Sequence, residues 1–218
     1  MGSLTTVATL VILTLVPFLF IVGTSFVKIS VVFSILRNAL GTGQVPSSSI
    51  ITALAVILSL YVMAPVGEDM VVAVTPFADR IDPDAPLRGE SGTAAVEAFQ
   101  AGKEPLVRFL ERNSGERERD LFYQLAVDAR DDDSSVSRDD LLVVLPAFLI
   151  TELGEAFLIG FLVFIPFLVL ELVISNVLLA LGMHMMNPST ISLPFKLLLF
   201  VMVDGWFLLA EALITGYT

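Results

Sequence analysis

The 218-residue sequence contains no cysteine and a single histidine, His184. Disulfide frameworks, thiolate metal centres and multi-histidine metal sites are therefore excluded. A glycine-rich P-loop for nucleotide phosphates is also missing, so any energy for work must come from elsewhere. The sequence thus predicts neither a metal site nor a cofactor.

Charge is also scarce, at 16% of residues against about a quarter in a soluble domain. Hydrophobic residues make up 56% of the chain. Residues 68–140 hold 18 of the 23 acidic residues and 9 of the 12 basic ones. A polar, acidic segment therefore lies between two apolar segments. The acidic balance argues against a nucleic-acid partner, which requires a basic face.

Groups suited to catalysis are few. Intramembrane proteolysis needs paired aspartates or a nucleophile with its base, but Asp204 is the only aspartate of the last apolar segment, and His184 has no evident partner. We therefore predict no catalytic residue and no enzyme activity. The acidic run at residues 131–133 has a calcium loop as its alternative interpretation, but the spaced ligands and glycine of such a loop are missing, which favours a solvated loop.

The pattern predicts an all-α membrane protein in three parts. Residues 1–66 form a first apolar helical hairpin, residues 67–140 an acidic, helical, extracytoplasmic domain, and residues 141–218 a second apolar hairpin. As helices, the apolar runs at residues 4–36 and 141–181 would measure roughly 50 and 60 Å. Both exceed the hydrocarbon core of a bilayer, which is about 30 Å thick.

Glycine and proline predict where these helices break. Pro17 and the Gly23-Thr24-Ser25 stretch are expected to interrupt the first run, and Gly41 to end it. The second helix is expected to open after Pro46 and to end near Val66. Proline is expected to make the first part of the acidic domain irregular.

Basic residues and repeated stretches bear on the topology and internal symmetry of the chain. Lys28, Arg37 and Lys196 lie toward the two short loops, which the positive-inside rule places in the cytoplasm. Similar Ala-Leu-Gly and Pro-Ser stretches follow the long helix of each hairpin. Either a parallel internal duplication or a chance likeness of apolar helices explains them.

Six ionisable side chains lie inside or beside apolar runs. A lone charge facing lipid costs at least about 2.5–3.5 kcal/mol, so such groups are expected to form buried ion pairs. Glu152 and Lys196 are predicted as the first such pair. They serve either as a packing device or as a clasp that opens with a pore. The six residues are Lys28, Glu152, Glu155, Glu171, Lys196 and Asp204.

Three methionines, Met183, Met185 and Met186, fall within four residues at the tip of the second hairpin. Methionine is flexible and fills irregular gaps. Ordinary core filling is one interpretation, whereas the position at a hairpin tip favours a mobile constriction. Further candidates for this pore or loop are Gly182, His184 and Pro188.

Four stretches of the chain resemble the SctR/FliP family of type III secretion export-gate proteins, and together they cover nearly the whole chain. A signal peptide, typical of flagellar members, is not found, which favours an injectisome member. The stretches are residues 26–29 with 37–41, residues 63–66, residues 105–109 with 120–122, and residues 181–183 with 191–197 and 203–206.

This resemblance implies the pore-forming core subunit of an export gate in the bacterial inner membrane. Five copies would assemble with SctS-like and SctT-like subunits at the centre of the basal-body rings, near SctU-like and SctV-like export proteins. Unfolded proteins would pass through the lumen, closed by a methionine gasket onto which Met183, Met185 and Met186 fall. His184 interrupts a methionine run that is often continuous in the family.

Two other functions remain open from the residues alone. The paired hairpins and buried carboxylates also suit a small-solute or proton-coupled carrier, and the long helices suit a passive membrane scaffold. Oligomeric state separates a carrier from an export ring, because a carrier holds its path within one or two chains.

Overall fold

The computed structural model describes residues 14, 18, 20–42, 46–81, 89–129 and 136–217. These residues form seven helices and no strand, so the predicted all-α class is confirmed. The helices are α1 (Phe26–Leu40), α2 (Ser48–Ala78), α3 (Gly89–Arg112), α4 (Glu116–Asp128), α5 (Leu141–Ala180), α6 (Pro188–Met202) and α7 (Gly205–Thr215).

Glycine ends the helices where it was predicted to do so. Residues 20–22 are helical, the Gly23-Thr24-Ser25 stretch interrupts them, and α1 follows. Gly41, with a φ of +72°, ends α1 in the left-handed region that favours glycine. The predicted break at Pro17 and the acidic run at residues 131–133 lie outside the described residues.

Helix α2 is longer than predicted, since it continues 12 residues beyond Val66 to Ala78. Pro65 and Pro76 lie inside this helix, and both are exposed. The apolar pattern resumes after Glu68 and Asp69, whose charges remain exposed on the helix surface. Proline was therefore given too much weight as a helix breaker in this segment.

Among the residues that the structure describes, two helices, α2 and α5, are long and apolar enough to cross a membrane. Helix α5 has 40 residues, which corresponds to about 60 Å, so its predicted excess over the bilayer core is confirmed. Helices α6 and α7 together pass the same test but are bent by 59° at the break between them.

The chain forms two compact units. The polar unit comprises the chain up to Ser25 and Leu60–Glu152, and the apolar unit comprises Phe26–Ser59 and Leu153–Thr218. The three-part division at residues 66/67 and 140/141 stays a prediction.

Each unit has its own core. In the polar unit, Leu110 of α3 packs with Val144 and Phe148 of α5. The Thr151 hydroxyl of α5 accepts a hydrogen bond from the Gly115 amide, at 2.9 Å, and thereby holds the start of α4. In the apolar unit, α1 lies at the centre of the core. Six of its side chains, spaced so that they cover much of the helix surface, are buried. They are Ile29, Val32, Phe33, Leu36, Ala39 and Leu40.

Helices α5 and α6 form an antiparallel hairpin within the apolar unit. The Phe167 and Phe200 rings lie 6.3 Å apart, and four residues further along α5, Glu171 contacts Lys196. As the residue number rises on α5 it falls on α6, which is the pattern of antiparallel helices. The methionines therefore lie at the tip of this hairpin.

Candidate functional site

The methionine loop, residues 182–190, begins at a helix end fixed by glycine. The Gly182 amide donates to the Leu179 carbonyl at 3.0 Å, and the Met183 amide donates to the Leu178 carbonyl at 2.9 Å. Gly182 has a φ of +74°. These two bonds with a left-handed glycine form a Schellman motif, which sets the direction in which the chain leaves α5.

The other end of the loop is fixed by a helix cap. The Asn187 side chain accepts a hydrogen bond from the Ser189 amide, at 3.0 Å. Pro188 occupies the first position of α6, where the missing amide proton costs nothing. Between the two fixed ends, the Met186 amide donates to the Met183 carbonyl at 3.2 Å. The loop is a short, ordered turn held at both ends.

The three methionine side chains point away from the core of this chain. Met185 is 100% exposed, and Met183 and Met186 are 40% and 41% exposed. Gly182 and His184 are exposed, and Pro188 is half-buried. Apolar side chains gathered on an exposed turn are available to cover another surface. Their role as a gasket stays a prediction.

A polar cluster lies at the first turns of α6, from Pro188 to Lys196, which form the C-terminal stem of the loop. The Lys196 ammonium donates to a Glu171 carboxylate oxygen at 2.6 Å and to the Ala39 carbonyl at 3.2 Å. The other carboxylate oxygen of Glu171 accepts a hydrogen bond from the Ser189 hydroxyl. Lys196 is only 4% exposed. One buried cation thus joins α1, α5 and α6.

The predicted pair of Glu152 with Lys196 is corrected by this geometry. Glu152 and Glu171 are both on α5, 19 residues apart, which is about 28 Å along a helix. An ammonium 2.6 Å from Glu171 cannot also reach Glu152. Glu152 itself is fully buried. The contact of Ser189 with Glu171 was not predicted from the sequence.

A second ion pair joins α1 to α5. The Lys28 ammonium lies 2.6 Å from a Glu155 carboxylate oxygen. It also lies 4.2 Å from the centre of the Tyr217 ring, within the range of a cation–π interaction. Lys28 is buried, whereas the Glu155 side chain is 52% exposed. The structure thus brings together these two predicted site residues.

Asp204 lies at the bend between α6 and α7 rather than in a buried ion pair. It is exposed, and its φ of 53° and ψ of 49° are left-handed. No ion pair involves it among the residues that the structure describes. Aspartate tolerates the left-handed region better than most residues. Asp204 is therefore explained by the left-handed turn of the backbone that it allows between α6 and α7.

The polar unit contains a carboxyl pair that the sequence did not indicate. Glu111 and Asp139 line a cavity of about 640 Å³ that also contains Lys103 and Arg108. Burial raises the pKa of the Glu111 carboxyl above its ordinary value, a hydrogen bond and repulsion from Asp139 add to this rise, and Arg119 opposes it. In the described part of the chain, no group of three metal-binding side chains comes together.

The chain is similar to known proteins over nearly its whole length. The model of the FliP family matches residues 9–213. The chain is 44% identical over 209 residues to the Yop proteins translocation protein R of Yersinia pestis, covering 94% of this chain and 92% of that protein. It is 39% identical over 211 residues to the virulence protein YscR of Salmonella typhimurium, covering 96% and 94%. It is 40% identical over 211 residues to the hypersensitivity response secretion protein HrcR of Ralstonia nicotianae, covering 95% and 94%.

Proposed function

Because the chain belongs to the FliP family, we propose that it is a pore-forming core subunit of a type III secretion export gate. It is a component of a secretion apparatus and not an enzyme. The predicted family is confirmed. The relatives are named for translocation, virulence and secretion in a hypersensitivity response, which supports an injectisome member.

The methionine loop carries the proposal. Its three apolar side chains stand exposed on a turn that is fixed at both ends. Repeated around an axis, such turns would form a ring of flexible, apolar side chains. Methionine can close such a ring against solutes and still rearrange when a polypeptide enters. The mechanism is therefore gated passage of unfolded proteins, with His184 beside the seal.

The exposed faces of the long helices support assembly with other chains. Within α5, large apolar side chains are exposed along most of the helix, among them Phe157, Phe161, Leu168 and Leu172. A helix twice as long as the bilayer core cannot cover all of this surface with lipid. Copies of this chain, in a homo-pentamer, and SctS-like and SctT-like subunits would cover the rest. SctU-like and SctV-like proteins and the basal-body rings would surround them.

The chain is a membrane protein, and we place it in the bacterial inner membrane. The acidic segment between the apolar hairpins would be periplasmic, because Lys28, Arg37 and Lys196 favour a cytoplasmic side for the short loops. Reporter fusions at exposed turns of the polar unit would test this orientation.

Replacing Met183, Met185 and Met186 together by alanine tests the seal. We expect ions and small solutes to leak through the inner membrane, because alanine removes the side chains that fill the constriction. The measurement is solute entry into cells that express the complete gate. Alanine replacements of Met63 and Met70, in the polar unit, provide the control with the same chemical change.

Assembly must be measured alongside, by co-purification of the variant with its partner subunits. Leakage with assembly intact is the expected result. An intact complex with an unchanged barrier would contradict the pore function and leave a passive scaffold.

A further inference from the structure

The polar cluster of Lys196, Glu171 and Ser189 lies where the methionine loop joins α6. We propose that these three residues are positioning residues, which tie the C-terminal stem of the loop to the end of α1. This inference rests on the proposed function only for its relevance to gating. The tie itself is a property of the chain.

Glu171 uses both carboxylate oxygens to hold α6 in place. One accepts from Lys196 at 2.6 Å, and the other accepts from the Ser189 hydroxyl. Ser189 and Lys196 are seven residues apart, which is about two helical turns. Two contacts at this spacing fix both the position of the loop stem and the direction of α6 against α5.

Lys196 extends the tie to α1. Its second bond goes to the Ala39 carbonyl, one of the last four carbonyls of α1, which lack a partner within their own helix. The negative end of the helix dipole favours a cation at this place. Lys196 thus caps α1 while it pairs with Glu171.

The two stems of the loop are therefore held differently. The N-terminal stem is held by backbone bonds at Gly182, whereas the C-terminal stem is held by a charge-assisted bond between side chains. Hydrogen bonds to charged groups are about twice as strong as neutral ones. The C-terminal stem can move relative to α5 only if it leaves Glu171, and relative to α1 only if Lys196 leaves the Ala39 carbonyl.

Amide hydrogen exchange of the full-length chain in detergent tests the tie. In Glu171→Gln we expect the amides of residues 187–192 to exchange about tenfold faster, because loss of a charged partner shifts local opening by roughly that factor. In Ser189→Ala we expect a smaller acceleration in the same peptide. Ser189→Ala also keeps the test valid if the charge variant folds poorly.

Matched controls come from the same helices. Glu155→Gln breaks an ion pair of equal length on α5, and Ser192→Ala removes a hydroxyl that bonds only to its own helix, at the Ser189 carbonyl. Neither should change exchange at residues 187–192. Equal acceleration in Glu155→Gln and Glu171→Gln would overturn the proposal, because general destabilisation would then explain both.

A charge swap distinguishes the tie from a simple ion pair. Glu171→Lys combined with Lys196→Glu restores opposite charges but places a carboxylate against the Ala39 carbonyl. We expect exchange at residues 187–192 to remain fast. A return of exchange at residues 187–192 to the rate of the parent chain would contradict the capping role of Lys196.

The exchange result does not depend on whether a pore exists. If exchange responds as expected and the methionine variant does not leak, the tie stands and the pore function fails. If the methionine variant leaks and exchange does not respond, the pore function stands and the tie fails.

Discussion

At the scale of single residues, the two buried lysines of the apolar unit set the register of α5. Lys28 faces Glu155 and Lys196 faces Glu171, each at 2.6 Å. A buried ammonium without a counter-charge is costly, so a slip of α5 would leave both lysines uncompensated. Such pairs contribute more to register than to net stability.

Glu111 gives the polar unit a pH dependence whose sign is fixed. Its pKa is raised by burial and by Asp139, so the folded state holds this proton more tightly than the unfolded state does. The stabilisation is therefore complete at low pH. It is lost as the pH rises from the ordinary value of 4.5 through the raised one.

Glu111→Gln should remove this dependence, because an amide does not ionise. We expect amides near the end of α3 to exchange more slowly than in the parent chain above the raised pKa, with a smaller change across the acidic range. Exchange of a peptide covering residues 104–112, measured from pH 4 to 8 and corrected for intrinsic rates, checks this. Glu104→Gln, at an exposed position of the same helix, is the control. A parent chain whose protection rises with pH would contradict the expected sign.

At the scale of elements, the bend between α6 and α7 places the only tryptophan in an aromatic cluster. Trp206 meets Phe200 edge to face at 5.1 Å and Phe33 at 6.1 Å. Asp204 takes the left-handed conformation that turns the chain, and Gly205 lies directly against the Phe200 ring. Each residue of the Asp-Gly-Trp sequence thus has its own role: Asp204 turns the backbone, Gly205 allows the close approach of Phe200, and Trp206 packs in the aromatic cluster.

Gly205→Ala should loosen this cluster, because a Cβ at residue 205 would overlap the Phe200 ring. Overpacking of this kind costs about 1–3 kcal/mol. The fluorescence of Trp206, the single tryptophan, should shift to the red and its thermal transition should fall. Gly154→Ala, where a Cβ meets nothing within 4 Å, should leave both unchanged. An unshifted spectrum in Gly205→Ala would show that the ring moves aside freely.

Helix ends were more predictable than helix lengths. Gly41 and Gly182 both take positive φ values where the sequence placed stops, because only glycine adopts this conformation without cost. Proline carries less information: α2 passes through Pro65 and Pro76, and α5 passes through Pro146 and Pro166. In both helices the apolar sequence continues past each proline, so the loss of one backbone bond did not end the helix.

The candidate site was predictable in part. The methionine loop follows from composition and from its flanking glycine and proline. The partner of Lys196 could have been found from the hairpin itself. Residues at equal distances from the tip of a hairpin face each other, and Glu171 and Lys196 are 13 and 12 residues from His184 at the tip. Glu152 is 32 residues from His184 and is therefore too far along α5. The bond from Ser189 to Glu171 depends on how α5 and α6 pack, which the sequence does not show, and a serine in a first helical turn is normally explained by capping.

At the scale of the whole molecule, α1 and α5 run in the same direction within the apolar unit. Lys28 meets Glu155, and seven residues further along α1, Ile35 lies where Gly160 leaves room for it. Each helix ends at a left-handed glycine. Parallel long helices with similar ends support the predicted internal duplication, which stays a prediction.

The exposed apolar surface predicts a multimer. We expect native mass measurement of the complex extracted in mild detergent to show several copies of the 23.6 kDa chain, with five as the proposed number. Introducing a charge at exposed Phe161, as Phe161→Glu, should reduce assembly, because a charge at a buried interface is costly. Phe99→Glu, at an exposed position of the polar unit, is the comparison. A stable lone chain would contradict the ring.

The fixed ends of the methionine loop also limit how far the loop can swing. The segment from the Schellman motif to the asparagine cap is residues 183–187, and five extended residues reach at most about 17 Å. A folded domain of 100 residues has a radius of gyration of about 13 Å and is therefore far wider than a single extended strand. If copies of this chain form the proposed ring, retraction of the loops with their stems in place would favour unfolded cargo over folded domains.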